Sequence, residues 1–206
     1  MSEALLVEFF VEDRAHEELL VPLVEQIARI ENVHLRCRVR NARGGHSRVM
    51  RSFERYQILR TKGMGDMEVP DLLVVAIDGN CTSFTETRNR IQRATHSPFV
   101  HRLVTACPDP HIERWYLADP QSFETAVGTR PSVSRRKCAR GYYKQMLADA
   151  VARAGYPPTL GGIEFGRELA NAMDLFRAGK NDASLKAFFD DLRKGLRRVS
   201  QITAGG

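Results

Sequence analysis

The sequence predicts an α/β fold built on a mostly parallel, open sheet flanked by helices, with a helical C-terminal extension. Three observations carry this. Over residues 4–128, apolar runs of strand length alternate with segments of helical period. One run, residues 71–78, is apolar at every position between its terminal aspartates, as a strand covered on both faces must be. Beyond residue 142 only helical periodicity remains. The expected organisation is an α/β domain over 1–128, a basic connector over 129–141, and a helical extension over 142–206 packed on the same domain.

Residues 4–11 form an apolar run broken only by Glu8, which reads as the first strand. From residue 14 to 30, Leu19, Leu20, Leu23, Val24, Ile27 and Ile30 repeat at helical spacing, with Pro22 as a point for a kink. Val33, Leu35, Cys37 and Val39 then alternate with His34, Arg36, Arg38 and Arg40, giving a strand with one apolar and one basic face. Gly44-Gly45 opens a loop that either cradles phosphate or simply turns. The next helix spans 47–62 with Val49, Phe53, Tyr56 and Leu59 inward. A loop over 63–70 precedes the strand at 71–78. Ser83-x-x-Glu86 is a capping box for a helix to about residue 95.

A third covered strand is expected over 99–107. Asp109-Pro110 reads as a helix start, an acceptor at the N-cap and a ring without an N–H behind it. Asp119-Pro120 repeats that signal for a helix ending near Gly128. The C-terminal helices are expected over 142–154, 163–178 and 182–199, with a frayed Gly205-Gly206 tail.

Composition excludes some classes. At 43% hydrophobic and 27% charged residues, the chain has the make-up of an ordinary globule. No apolar stretch approaches the roughly 20 residues of a membrane span, and no signal-peptide pattern opens the chain, so a cytoplasmic location is expected. Four scattered cysteines without a C-x-x-C pair are expected to be reduced thiols. The net charge of +6 is unevenly spread. Residues 34–62 hold nine basic side chains against Glu54, and residues 130–144 hold six with no acid, Arg135 and Arg140 included. Two basic blocks on an acidic body suggest a polyanion such as nucleic acid. Solvated basic faces, or a patch that docks an acidic protein, would read the same. Arg36, Arg38, Arg40, Arg43, Arg48, Arg114, Lys137 and Lys144 are the candidate phosphate-binding residues.

Ligands bind beyond the carboxyl ends of strands in open parallel sheets. Glu12, Asp78 and Glu113 all fall at such ends, with Glu17 and His111 nearby. Crowded carboxylates repel and raise one another's pKa unless a cation compensates. Carboxylate and amide oxygens suit Mg²⁺ or Mn²⁺, and such an ion beside basic surface is equipment for phosphodiester chemistry. Each acid taken alone could equally cap the helix that follows it. Trp115 reads as core.

The motifs Val11-Glu12, Ile77-Asp78-Gly79-Asn80 and Pro108-Asp109-Pro110-His111-Ile112-Glu113-Arg114-Trp115 resemble, in order and spacing, the Toprim fold of topoisomerases, DnaG-type primases and OLD-type nucleases. They resemble more closely the small stand-alone Toprim-like proteins found beside ATPases in bacterial defence loci. The resemblance implies that Glu12 serves in acid/base or metal duty and that Asp78 and residue 80 bind the metal. Asn80 stands where the pattern has a second aspartate. It keeps an oxygen ligand but loses a charge, which Glu113 is placed to restore. The implied function is a Mg²⁺-dependent nuclease acting with a partner ATPase in anti-phage defence. The alternative, from another class, is a catalytically inactive Toprim-like module that binds a protein or nucleic acid. A nucleotide phosphotransferase is a third reading, without the usual phosphate loop.

Overall fold

The computed structural model describes residues 4–64, 68–134, 136–139 and 141–204. Arg135 and Arg140 of the second basic block, residues 65–67 of the 63–70 loop and the Gly205-Gly206 tail lie outside the described residues. The fold is α/β, with a four-stranded, all-parallel open sheet flanked by helices, an arrangement consistent with a Toprim-like fold.

The strands are β1 (Leu5–Val11), β2 (Leu35–Asn41), β3 (Leu72–Ala76) and β4 (Leu103–Ala106), in the order β2-β1-β3-β4. Period two divides them between two cores. Val7, Phe9, Val11, Leu72, Val74, Ala76, Val104 and Ala106 face α1 (Arg14–Ile30) and the later helices. Phe10, Leu73, Val75 and Ile77 face Val49, Phe53 and Tyr56 of α2 (His46–Thr61) and Ile91 of α3 (Phe84–Arg93). β1 leads outward to β2, whereas β3 leads the other way to β4. The crevice between β1 and β3 is therefore the switch point of the sheet, where open α/β folds bind ligands.

The first core also holds α4 (Ile112–Tyr116), α5 (Pro120–Val127), α6 (Tyr142–Arg153), α7 (Gly166–Ala172), α8 (Leu175–Asn181) and α9 (Ala183–Ala204). Leu185, Phe188, Phe189, Leu192 and Leu196 of α9 share that core with β1, β3 and β4. Most sequence expectations hold to within two residues, including the Ser83–Glu86 capping box and the Asp119 cap of α5, which ends at left-handed Gly128.

The last helix runs to Ala204 instead of 199, and five further expectations need correction. The strand expected over 99–107 is a 3₁₀ turn (Ser97–Arg102) followed by the short β4. The expected helix over 163–178 is broken into a 3₁₀ turn, α7 and α8. Met173 is extended, and Asp174 caps α8 instead of continuing α7. Leu59 is partly exposed at 36%, because the inner face of α2 is filled by Val49, Phe53, Tyr56 and Gln57. The fourth is α4, which begins at Ile112 with His111 at its N-cap. The Asp109–Pro110 bond is cis, and the chain turns two residues further before coiling.

The fifth concerns cysteine. Cys81 and Cys138 are joined in a disulfide across 57 residues, their Cα atoms 4.9 Å apart. It fastens the basic connector to the loop after β3, a proximity invisible in the linear spacing. Cys37 and Cys107 are free thiols, each pushed up to about 12 by burial. No helix among the described residues is long and apolar enough to cross a membrane.

Candidate metal and phosphate site

Glu12 and Asp13 follow β1 directly, and Asp13 caps α1 by accepting from the His16 backbone N–H at 3.2 Å. His16 is thereby fixed in the first turn, wholly buried, over the end of the sheet. Asp78 follows β3 across the switch point, and its N–H donates to Glu12 Oε2 at 3.2 Å. The loops after β3 and β4 are zipped together by Gly79 N–H to Pro108 O (2.7 Å) and Asn80 N–H to Pro110 O (2.8 Å). Glycine at 79 eases this close approach: a Cβ there would stand 3.0 Å from the carbonyl oxygens of Pro108 and Thr82, a tight contact with backbone. Asn80 takes a left-handed backbone (φ 54°), which asparagine tolerates better than most residues.

Glu113 is carried by α4, and α4 is pinned from both sides. Trp115 Nε1 donates to Ser184 Oγ of α9 at 2.9 Å, and Tyr116 Oη donates to the Ala15 carbonyl of α1 at 2.8 Å. Asp78 Oδ1 accepts from the Ile112 N–H at 2.9 Å, so a carboxylate from the neighbouring strand end does the capping expected of Asp109. Asp109 Oδ2 instead meets the Phe84 N–H at the start of α3 (3.4 Å) and Lys137 (3.3 Å).

These elements enclose a cleft of about 280 Å³ lined by Glu12, Asp13, Asp78, Asn80, His111, Glu113, Gly141, Tyr143 and Lys144. The three acids expected from the sequence, together with Asn80 and His111, therefore meet in one place. Asn80 Nδ2 turns back to the Asp78 carbonyl at 3.4 Å. His111 Nδ1 lies 3.1 Å from Asp78 Oδ2, and Lys144 Nζ lies 3.7 Å from Glu113 Oε1. The remaining Glu113 oxygen, Oε2, is buried without a hydrogen-bond partner.

Electrostatics divides the acids into two kinds. Burial, reinforced by the Asp78 charge, raises Glu12 above the usual carboxylate range, and the same two causes raise Glu113. Burial also disfavours ionised Asp78 and Asp13, but the His16 ring outweighs it. Asp78 is held below its usual value, with His111 assisting, and Asp13 is lowered to about 2. His16 is the counterpart: burial disfavours its charge, yet Asp78 and Asp13 raise it to about 10. His111 is raised mainly by its contact with Asp78.

Other candidates lie elsewhere. Arg38 is bonded to the wholly buried Glu8 (Nη2 to Oε2, 2.6 Å), and Arg40 contacts the other Glu8 oxygen. Arg36 meets Glu68 at 2.5 Å. Of these three arginines, expected to hold phosphate, Arg38 and Arg40 are thus committed to an acid of β1, while Arg36 pairs with Glu68 of the loop before β3 at the exposed surface. Glu17 accepts from Asn41 Nδ2 at 3.0 Å and does not line the cleft. Arg114 Nε lies 3.1 Å from Asp182 in an adjoining pocket of about 320 Å³, which also holds Lys137 and shares Tyr143 with the cleft. Gly45 brings the start of α2 to Glu12, 3.7 Å from Oε1 as measured from a Cβ built on the glycine. Arg43 and Arg48 sit in and just after that loop, Arg48 Nη1 donating to the Arg43 carbonyl.

Three residues of the site, Asp13, His16 and Tyr143, went unread in the sequence. His16 was concealed in an otherwise ordinary helix start; its signal was the Asp13-x-x-His16 spacing, which puts both on one turn. Tyr143 carried no signal. One ligand atom from each of Glu12, His16 and Asp78 lies within 4.8 Å of the others, so this trio is the group among the described residues best placed to hold a cation. No family model matches the chain, and neither a curated protein nor a solved structure matches it. The functional reading therefore rests on the chemistry of the cleft.

Proposed function

We propose that this chain is a Toprim-like, divalent-metal-dependent nuclease that hydrolyses phosphodiester bonds of DNA or RNA. The observation that carries the reading is the meeting of Glu12, Asp78 and Glu113 with Lys144 in one cleft at the sheet's switch point. The donors fit a cation: Glu12 and Asp78 would hold it, and Glu113 keeps an oxygen without a partner. When bound, such an ion offsets phosphate charge and acidifies water.

The chain's own groups supply the rest. Glu113, with its raised pKa, is suited to take a proton from water or return one to a leaving oxygen. Lys144, 68% exposed at its side chain, reaches out to meet a phosphate at the cleft mouth. His111 and the Ile112 N–H hold the Asp78 carboxylate in place. Arg43 and Arg48 extend the basic surface along the β2–α2 loop. A partner ATPase and a role in anti-phage defence belong to this proposal through the family resemblance.

The test is incubation of the purified protein with plasmid, linear duplex and RNA under Mg²⁺ and Mn²⁺. Cleavage should require the ion and fall roughly 10²–10⁴-fold in Glu113→Gln, as for loss of a general acid or base. Asp78→Asn should abolish it. Absence of cleavage on all three substrates, or cleavage indifferent to these changes, overturns the reading. One observation favours the inactive-module alternative: His16 already sets a positive charge between Asp13 and Asp78. Divalent-ion titration during thermal melting separates the two, because a bound ion stabilises the folded chain and an absent one does not.

A further inference from the structure

His16, buried against Asp13 and Asp78 of the cleft, is the group for which three carboxylates give no account. Its side chain is 0% exposed, and its Nε2 is a buried atom without a hydrogen-bond partner. That nitrogen lies 3.2 Å from Asp78 Oδ1, near enough for an ion pair but not aligned as a hydrogen bond. The other ring nitrogen, Nδ1, is 2.9 Å from Asp13 Oδ1. Asp13 is itself held, since the same oxygen caps α1. Loss of the Nε2 proton, with the Nδ1 proton kept on Asp13, would free a lone pair beside Glu12 and Asp78.

We propose that His16 Nε2 is a metal ligand, and that Glu12, His16 and Asp78 form a mixed nitrogen–oxygen site selecting a divalent first-row transition ion over Mg²⁺. The proposal rests on reading the cleft as a metal site and adds the class of ion and the role of His16. A carboxylate behind a ligating imidazole is the usual device for fixing its tautomer and orientation, and Asp13 stands in that position. Imidazole suits borderline transition ions, whereas Mg²⁺ is held by oxygen. Ligands on opposite sides of one ion at about 2.1 Å are separated by about 4.2 Å. The 4.8 Å span of the trio has only to close slightly. Asp13 is also the reason for His16 in place of a fifth acid: an imidazole binds a cation without adding to the charge of four neighbouring carboxylates.

Mn²⁺ is the probe. Full-length metal-free protein is titrated with Mn²⁺ and Mg²⁺, with binding followed by the EPR signal of free Mn²⁺ and by competition. The Mn²⁺-loaded protein is then examined by pulsed EPR for coupling to ¹⁴N. The expected result is one imidazole ¹⁴N coupling, Mn²⁺ binding at least 10-fold tighter than Mg²⁺, and a 10–100-fold loss of Mn²⁺ affinity in Asp13→Asn. The coupling should persist in His111→Gln and vanish in His16→Gln. Because His16 is buried, the wild-type spectrum and Asp13→Asn decide the matter should His16→Gln fail to fold. Bound Mn²⁺ without nitrogen coupling, or coupling lost only in His111→Gln, overturns the role of His16 while leaving a carboxylate metal site intact. No binding of either ion overturns both, and makes the His16 imidazolium the resident cation of the cleft.

Discussion

Glu8 on the sheet and the acids at the sheet's end are both set against cations, and they differ in how. On the sheet, Glu8 is wholly buried, and two arginines, Arg38 and Arg40, take both its oxygens. At the sheet's end, Asp13, His16, Asp78 and Glu113 are linked by a looser set of contacts, with His16 Nε2 and Glu113 Oε2 left without hydrogen bonds. The first arrangement is saturated, so it joins β2 to β1 and offers nothing to a ligand. The second keeps unused valence and holds Glu12 and Glu113 at raised pKa. Buried polar atoms are ordinarily satisfied, and where several adjacent ones are not, binding is the economical explanation.

The contrast can be broken most sharply at Glu8. Glu8→Gln should destabilise the fold by about 3 kcal/mol in denaturant unfolding, the lower end for breaking a buried ion pair, because both arginines keep some contact with water. A loss under about 1 kcal/mol would show that the sheet cluster is no more structural than the cleft.

Gly79→Ala comes next. Its new Cβ meets two backbone carbonyls that cannot retreat as side chains do, and the expected cost is about 1–3 kcal/mol, read as a lower denaturation midpoint. A neutral result would mean that the β3 and β4 loops are not held together as described.

The His16 cluster should then declare itself in pH dependence, measured on metal-free protein. His16 is raised in the fold from 6.5 to about 10, so the stability it contributes is complete below 6.5 and is lost as pH rises towards 10. Asp13 is lowered from 3.8 to about 2, so its share is present above 3.8 and lost as pH falls towards 2. Asp13→Asn should therefore melt several degrees below wild type near pH 6, with a gap that narrows towards both extremes. A gap independent of pH would refute the His16–Asp13 pairing.

The smallest effect is expected at Glu113, with the opposite sign to Glu8. Its pKa is raised by burial and by Asp78, so its ionised form opposes folding at neutral pH. Glu113→Gln should leave the melting temperature unchanged or raise it by a few degrees while lowering the proposed cleavage. Clear destabilisation would place Glu113 with Glu8 as a structural acid.

Much of this molecule was determined by the sequence alone. Period two and period 3.6 set the strands and helices, the Ser83 and Asp119 caps set two helix starts, and the strand-end positions of Glu12, Asp78 and Glu113 marked the cleft. All of these depend on neighbours within a turn or a strand. Only the tertiary structure decided which charges were already answered. Glu8 withdraws Arg38 and Arg40 from across 30 and 32 residues. Asp78 caps α4 from 34 residues away, and Cys138 finds Cys81 across 57. His16 acquires its role because β1 and β3 are neighbours in the sheet although α1, β2 and α2 separate them along the chain. Satisfaction of a buried polar group belongs to contacts in space, and local patterns carry no record of it.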